Sequence, residues 1–142
     1  MLRLLSAVTL GFCLGLIGCK TVQPKDLVGT WVMTRDSRSV LPDDLKNASG
    51  KIILNANGTF SASEMPGLFY APGLYAARLE NGTGTWKIIS EDGEERLLLN
   101  FQTIAKWNDS LPYGNDLFIG RGSLFYFLDD PDEGRRVSFE KK

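Results

Sequence analysis

The sequence predicts an all-β fold: a small antiparallel up-and-down barrel of about eight strands, following a cleaved signal peptide. Three observations carry this. Beyond Lys25, apolar residues recur with period two or in short runs bounded by turn residues, not with the spacing of an amphipathic helix. Asn-Gly and Asp-Gly pairs fall between these segments, where they supply the positive φ of a tight hairpin. The only helix candidate in the body is Pro42-Asp43-Asp44-Leu45-Lys46, a turn or two with proline and acids at its start.

The first element is not part of the fold. Met1-Leu2-Arg3 gives one positive charge, Leu4 to Ile17 is a 14-residue apolar run, and Gly18 places a small residue ahead of Cys19. A basic start, a short apolar core and a small-residue cleavage site describe a secretory signal over 1–18. A retained anchor is the alternative, but a spanning helix needs ~20 apolar residues.

The stretch Leu16-Ile17-Gly18-Cys19 resembles the lipobox of bacterial lipoproteins. The resemblance implies that the Cys19 thiol receives a diacylglyceryl group and that cleavage precedes it. The new amino group is then acylated, palmitate being the expected chain. Several acyl chains exceed the two-signal threshold for stable anchoring. Lys20 follows the cysteine, and the absence of aspartate there implies outer-membrane rather than inner-membrane sorting in a Gram-negative host. Cys13 leaves with the signal, so the mature chain keeps no thiol for a disulfide, a metal or catalysis. Residues 19–25 form a lipidated tether and 26–142 the barrel domain, lying close to the bilayer.

The strands are expected near 28–35, 50–56, 59–64, 74–80, 83–90, 94–102, 116–129 and 135–141. Asn57-Gly58, Asn81-Gly82 and Asp92-Gly93 read as hairpin turns between them, and Asp130-Pro131-Asp132-Glu133-Gly134 as a fourth connection. Consecutive hairpins make a meander, and eight strands close a small barrel without exposed edges. Gly120-Arg121-Gly122 could split the seventh strand, which would give nine and break antiparallel closure. Either those glycines kink one long strand or 74–80 is not a strand. The kinked strand is the preferred expectation.

Two segments share a pattern, Gly29-Thr30-Trp31 and Gly84-Thr85-Trp86. With Asn57-Gly58-Thr59-Phe60 between them, they resemble the Gly-x-Trp segments of lipocalins and of lipocalin-like domains in small bacterial lipoproteins, over most of 26–142. A Trp at a barrel end lays a large ring across the floor, and its glycine lets another group approach. On the eight-strand count Trp31 and Trp86 share one end; if 74–80 is not a strand, they fall at opposite ends. Lipocalins usually stack a last-strand arginine on the indole. Here Arg135 and Arg136 open that strand at the far end, and only Lys141 or Lys142 could reach Trp31.

Composition removes much chemistry. The chain has 142 residues and no histidine, hence no Ser-His or Cys-His pair and no imidazole ligand. A net charge of −1 gives no basic field for nucleic acid. No cofactor or metal is implied. The acid clusters Asp43-Asp44, Glu91-Asp92 and Asp129-Asp130 with Asp132-Glu133 read as solvated turns. The Asn-x-Ser/Thr sites at Asn47, Asn57, Asn81 and Asn108 also read as turn chemistry. The apolar loop 65–73, broken by Pro66-Gly67 and Pro72-Gly73, reads as a lid at the barrel mouth or as a contact site. The loop 103–115, with Trp107 and Tyr113, reads as a plug at the opposite, membrane-proximal end. The resulting expectation is a membrane-anchored, non-enzymatic binding module of the cell envelope. It would take a small apolar ligand beside Phe69, Tyr70 and Tyr75, or, alternatively, engage or inhibit a protein partner through the aromatic loop 65–73.

Overall fold

The computed structural model describes residues 21–66, 79–104, 113–128 and 131–142. Eight strands close into an antiparallel barrel in sequence order, an architecture consistent with a lipocalin-like fold. The strands are β1 (Gly29–Met33), β2 (Lys51–Leu54), β3 (Thr59–Pro66), β4 (Leu79–Glu91), β5 (Glu94–Ile104), β6 (Tyr113–Ile119), β7 (Ser123–Phe127) and β8 (Arg136–Lys141). Closure is made by β1 on β8, with Trp31 opposite Lys141 and Met33 opposite Phe139. Burial alternates along β2, β7 and β8 as period-two patterning requires. Ile52, Leu54, Leu97, Leu99, Leu117, Leu124, Val137 and Phe139 are all buried and point inward.

The strand count agrees with expectation but two boundaries do not. Asn81-Gly82 is not a turn: both residues lie inside β4, where Gly82 pairs with Ala62 and Ile104. The reason is tertiary. A Cβ on Gly82 would stand 2.9 Å from the Phe101 ring, so glycine serves close approach of that ring rather than positive φ. Leu79 and Glu80 therefore open β4 instead of ending a separate strand, and 74–78 lie outside the described residues. Gly120-Arg121-Gly122, conversely, is a true turn between β6 and β7. Gly122 adopts φ 78° and the Gly120 N–H donates to the Ser123 carbonyl at 2.8 Å. The merge and the split cancel, leaving eight.

The remaining turns divide similarly. Asp92 and Gly93 both have positive φ (52° and 81°), and Glu91 pairs with Glu94, the two-residue hairpin expected there. At Asn57-Gly58 only the glycine is positive (80°), so the connection is a four-residue loop over 55–58. The Gly58 N–H closes it on the Asn55 carbonyl, and the Asn57 side chain accepts from the Thr59 N–H.

Two short helices were not foreseen: α1 (Pro24–Leu27) and α2 (Arg35–Ser39). The strand expected over 28–35 stops at Met33 because Thr34 caps α2, its hydroxyl accepting from the Ser37 N–H. Ser37 then takes the place of a strand partner for β8. Its hydroxyl donates to the Ser138 carbonyl at 3.2 Å and accepts from the Ser138 N–H at 2.7 Å. The candidate at 42–46 is a single 3-10 turn, Asp43–Leu45. Leu41, Leu45 and Ala48 of this connection are buried in the core. We call this end of the barrel the rim, and the end where β1 begins the floor.

Candidate functional site

The floor is built from the repeated Gly-Thr-Trp segments and the chain that precedes them. Trp31 is 3% exposed, and its indole N–H donates to the Leu27 carbonyl at 2.8 Å. Trp86 is 7% exposed, and its indole N–H donates to the Asn55 carbonyl at 3.0 Å. Its backbone N–H also donates to the Gly58 carbonyl. Leu27 and Asn55 belong to floor connections, so both indoles pin the same end. The expectation that they separate if 74–80 is not a strand of its own is thereby corrected. β4 does run opposite to β1, but Trp86 lies late in a 13-residue strand rather than at its start.

The two glycines of the repeat do different work. Gly29 (φ 138°) lets the Lys141 side chain cross over it, since a Cβ there would stand 2.8 Å from Lys141 Cε. The Lys141 ammonium lies 5.8 Å from the Trp31 ring centroid and donates to the Asp26 carbonyl at 2.8 Å. Lysine thus takes the place over the indole that lipocalins give to arginine, by the antiparallel pairing of Trp31 with Lys141. Gly84 faces inward at the β5 bulge. A Cβ there would stand 1.9 Å from the Asn100 carbonyl oxygen and 2.9 Å from the Phe60 ring. Its absence lets Phe60 and Phe101 meet edge to face, 4.9 Å between centroids.

The segment before β1 is bound down. The Val22 N–H donates to Glu95 Oε2 at 2.8 Å, a contact across 73 residues. The Gln23 N–H donates to the Asp26 carboxylate, and Leu27 is buried. Open grooves run on either side of this strap, both bordered by Thr21, Val22, Ser90 and Glu95. One, of about 530 Å³, adds Pro24, Ala56, Trp86 and Ile88; the other, of about 770 Å³, adds Phe118, Ile119 and Phe125. On the outer wall beside the second groove, Phe118, Phe125 and Phe127 cluster with centroids 5.2–5.6 Å apart. The Arg96 and Arg136 guanidinium groups cover Phe118 and Phe125 at 4.5 and 4.8 Å.

The strand ends that flank both loops, which the sequence put at opposite ends, lie together at the rim. β3 ends and β4 begins there, and so do β5 and β6; the strand directions require it. Placing 103–115 at the floor is therefore corrected, and Met65 and Pro66, expected in the loop, are buried residues of β3. Phe69, Tyr70, Tyr75, Trp107 and Cys19 lie outside the described residues.

Among the described residues, Asp43-Asp44 and Asp132-Glu133 lie in 3-10 turns and Glu91-Asp92 at a hairpin tip. Asp43 pairs with Lys46, whose hydrogen bond and charge hold that carboxyl below its usual range. Glu91 and Glu94 pair with Arg96, which also binds Asp116. Among the described residues no acidic group gathers as a cation site. Inside the barrel the phenol of Tyr126 is 7% exposed, and burial pushes its ionisation well above the usual tyrosine range. Sequence reasoning missed the Val22–Glu95 and Ser37–Ser138 contacts, for which no local pattern exists. Comparison with protein-family models, curated proteins and solved structures finds no match for this chain.

Proposed function

We propose that the chain is a bacterial envelope lipoprotein, anchored through acylated Cys19, whose barrel acts as a non-enzymatic binding module that engages its partner from outside. The outer membrane is favoured over the inner if the host is Gram-negative, because Lys20 follows the cysteine. The observation that carries the binding mode is the filled interior. Phe101, Phe139, Ile52, Leu54, Leu97, Leu99, Leu117 and Leu124 are each at most 1% exposed and come from five of the eight strands. Cores packed in this way leave no room for a drug-sized ligand, which needs ~300 Å³ or more. A protein partner met at the surface fits better than a small apolar ligand swallowed beside Phe69, Tyr70 and Tyr75. The absence of histidine and of a free thiol in the processed chain supports a role without catalysis.

Two measurements test this. Cys19→Ala should abolish membrane fractionation and lipid labelling, and unchanged partitioning refutes the anchor. Native mass spectrometry of protein purified from envelopes should show a protein adduct rather than a retained small molecule. A stoichiometric mass of a few hundred daltons that survives desalting reverses the preference.

A further inference from the structure

We propose that the barrel is strapped floor-down onto a lipid surface by a leash of only two residues, Lys20 and Thr21, so that its rim is turned away from the bilayer. This rests on the Cys19 anchor proposed above. A seven-residue tether from Lys20 to Asp26 would reach ~25 Å and let the body swing in any direction. The structure removes most of that freedom. Val22 is fixed to Glu95, Gln23 to Asp26, Asp26 to Lys141 and Leu27 to Trp31, all at the floor. Three steps separate Cys19 from Val22, a span of at most ~11 Å. The β4 strand of 13 residues is ~40 Å long, so the leash is short beside the body it holds.

The surface next to the leash suits an interface. Val22 lies between two open grooves that expose parts of Ile88 on one side and Phe118, Ile119 and Phe125 on the other. Aromatic rings settle at headgroup depth, and arginine stems lie along apolar surface while their heads stay in the polar layer. Arg96 already covers one of these rings, Phe118. In the acidic hairpin at the same end, Glu91 and Glu94 share Arg96 with Asp116, and Glu95 accepts from the Val22 N–H. A zwitterionic headgroup layer therefore suits this end better than an anionic one. The occupant is a bilayer because Thr21, bordering both floor grooves, lies two residues from the proposed acylation site.

The full chain, purified from bacterial membranes and reconstituted in phosphatidylcholine vesicles, provides the test. Cys19 is acylated and Cys13 is removed, so nitroxides can be placed singly by Ala56→Cys or Arg121→Cys at the floor and Asp44→Cys at the rim. All three positions are exposed. Relaxation by a headgroup-borne nickel chelate should be several-fold stronger at 56 and 121 than at 44. Glu95→Ala, which releases Val22, should cut that contrast at least by half. Equal relaxation at all three sites, stronger relaxation at 44, or a contrast indifferent to Glu95→Ala overturns the strapped orientation while leaving the anchor intact. Protein that never partitions with membranes overturns both.

Discussion

Gly84→Ala is the sharpest perturbation this barrel offers, because a single methyl is set against backbone. A Cβ at this position would stand 1.9 Å from the Asn100 carbonyl oxygen, whereas ordinary contact begins at 3.4 Å. The two strands must separate locally by about 1.5 Å, since a sheet carbonyl cannot rotate away as a side chain can. Two effects follow. Ladder hydrogen bonds beside the β5 bulge are lost or stretched, at ~1 kcal/mol each. The Phe60–Phe101 pair, 4.9 Å apart, is also forced off its packing, a strain of ~1–3 kcal/mol. Against this, alanine stiffens the unfolded chain and returns ~0.4–1 kcal/mol. The net loss is ~3 kcal/mol, or roughly 10 °C in melting temperature for a body of this size. Urea unfolding followed by tryptophan emission measures it. The neighbouring glycines supply the ranking. Gly82→Ala meets the Phe101 ring and the Thr103 carbonyl at 2.9 Å and should cost less than Gly84→Ala. Gly114→Ala makes one tight contact, with the Asn100 side-chain oxygen at 3.3 Å, beside ordinary ones to Leu98 and Leu99, and should be within ~0.5 kcal/mol of the parent. A loss below 1 kcal/mol at Gly84, or a larger effect at Gly114 than at Gly84, refutes the close-approach argument.

Three further changes probe the floor, the β8 edge and the interior. Trp31→Ala should cost ~3–5 kcal/mol through the cavity it leaves and the orphaned Leu27 carbonyl, measured by the same unfolding curves; an unchanged midpoint refutes the floor role. Ser37→Ala strips the Ser138 N–H of its acceptor and should cost ~1–3 kcal/mol, with faster amide exchange at Ser138 as the local readout; protected exchange there refutes it. Tyr126 keeps its proton in the fold at pH values where the unfolded phenol, ionising near 10, has lost it. Stability is therefore unaffected by this group below about pH 10 and falls by ~1.4 kcal/mol per pH unit above it. Tyr126→Phe should flatten that alkaline slope, and parallel slopes for parent and variant refute the assignment.

The strands were legible because the facing of each residue is decided locally. Val137 and Phe139 are buried between exposed Arg136 and Glu140, as their alternation requires. Glycine was where the reading divided, since it can supply positive φ or room, and only its neighbours in space decide which. Asp92-Gly93 lies at a tip with nothing near it and takes the turn its residues prefer. Asn81-Gly82 carries the same local preference and loses it to a ring from Phe101, on the adjoining strand. Gly122, with open space around it, makes a turn in what reads as one apolar run. Turn propensity of ~1 kcal/mol cannot compete with the packing of a buried phenylalanine.

The floor shows the same division at the level of function. That Lys141 or Lys142 would reach Trp31 followed from antiparallel closure, because β1 and β8 must pair, and the register selects Lys141. The hydrogen bond from Val22 to Glu95 had no such warrant, for nothing in Thr21-Val22-Gln23 announces a partner 73 residues away. Under the proposed Cys19 anchor, this contact changes what the anchor does. A free leash fixes only the distance of a body from its membrane, whereas a strap also selects which end faces outward. With both indoles, Lys141 and Glu95 gathered at one end, the stability of the floor and the direction of the rim depend on the same few contacts. A floor variant such as Glu95→Ala should then alter what the rim can reach while the rim itself stays folded.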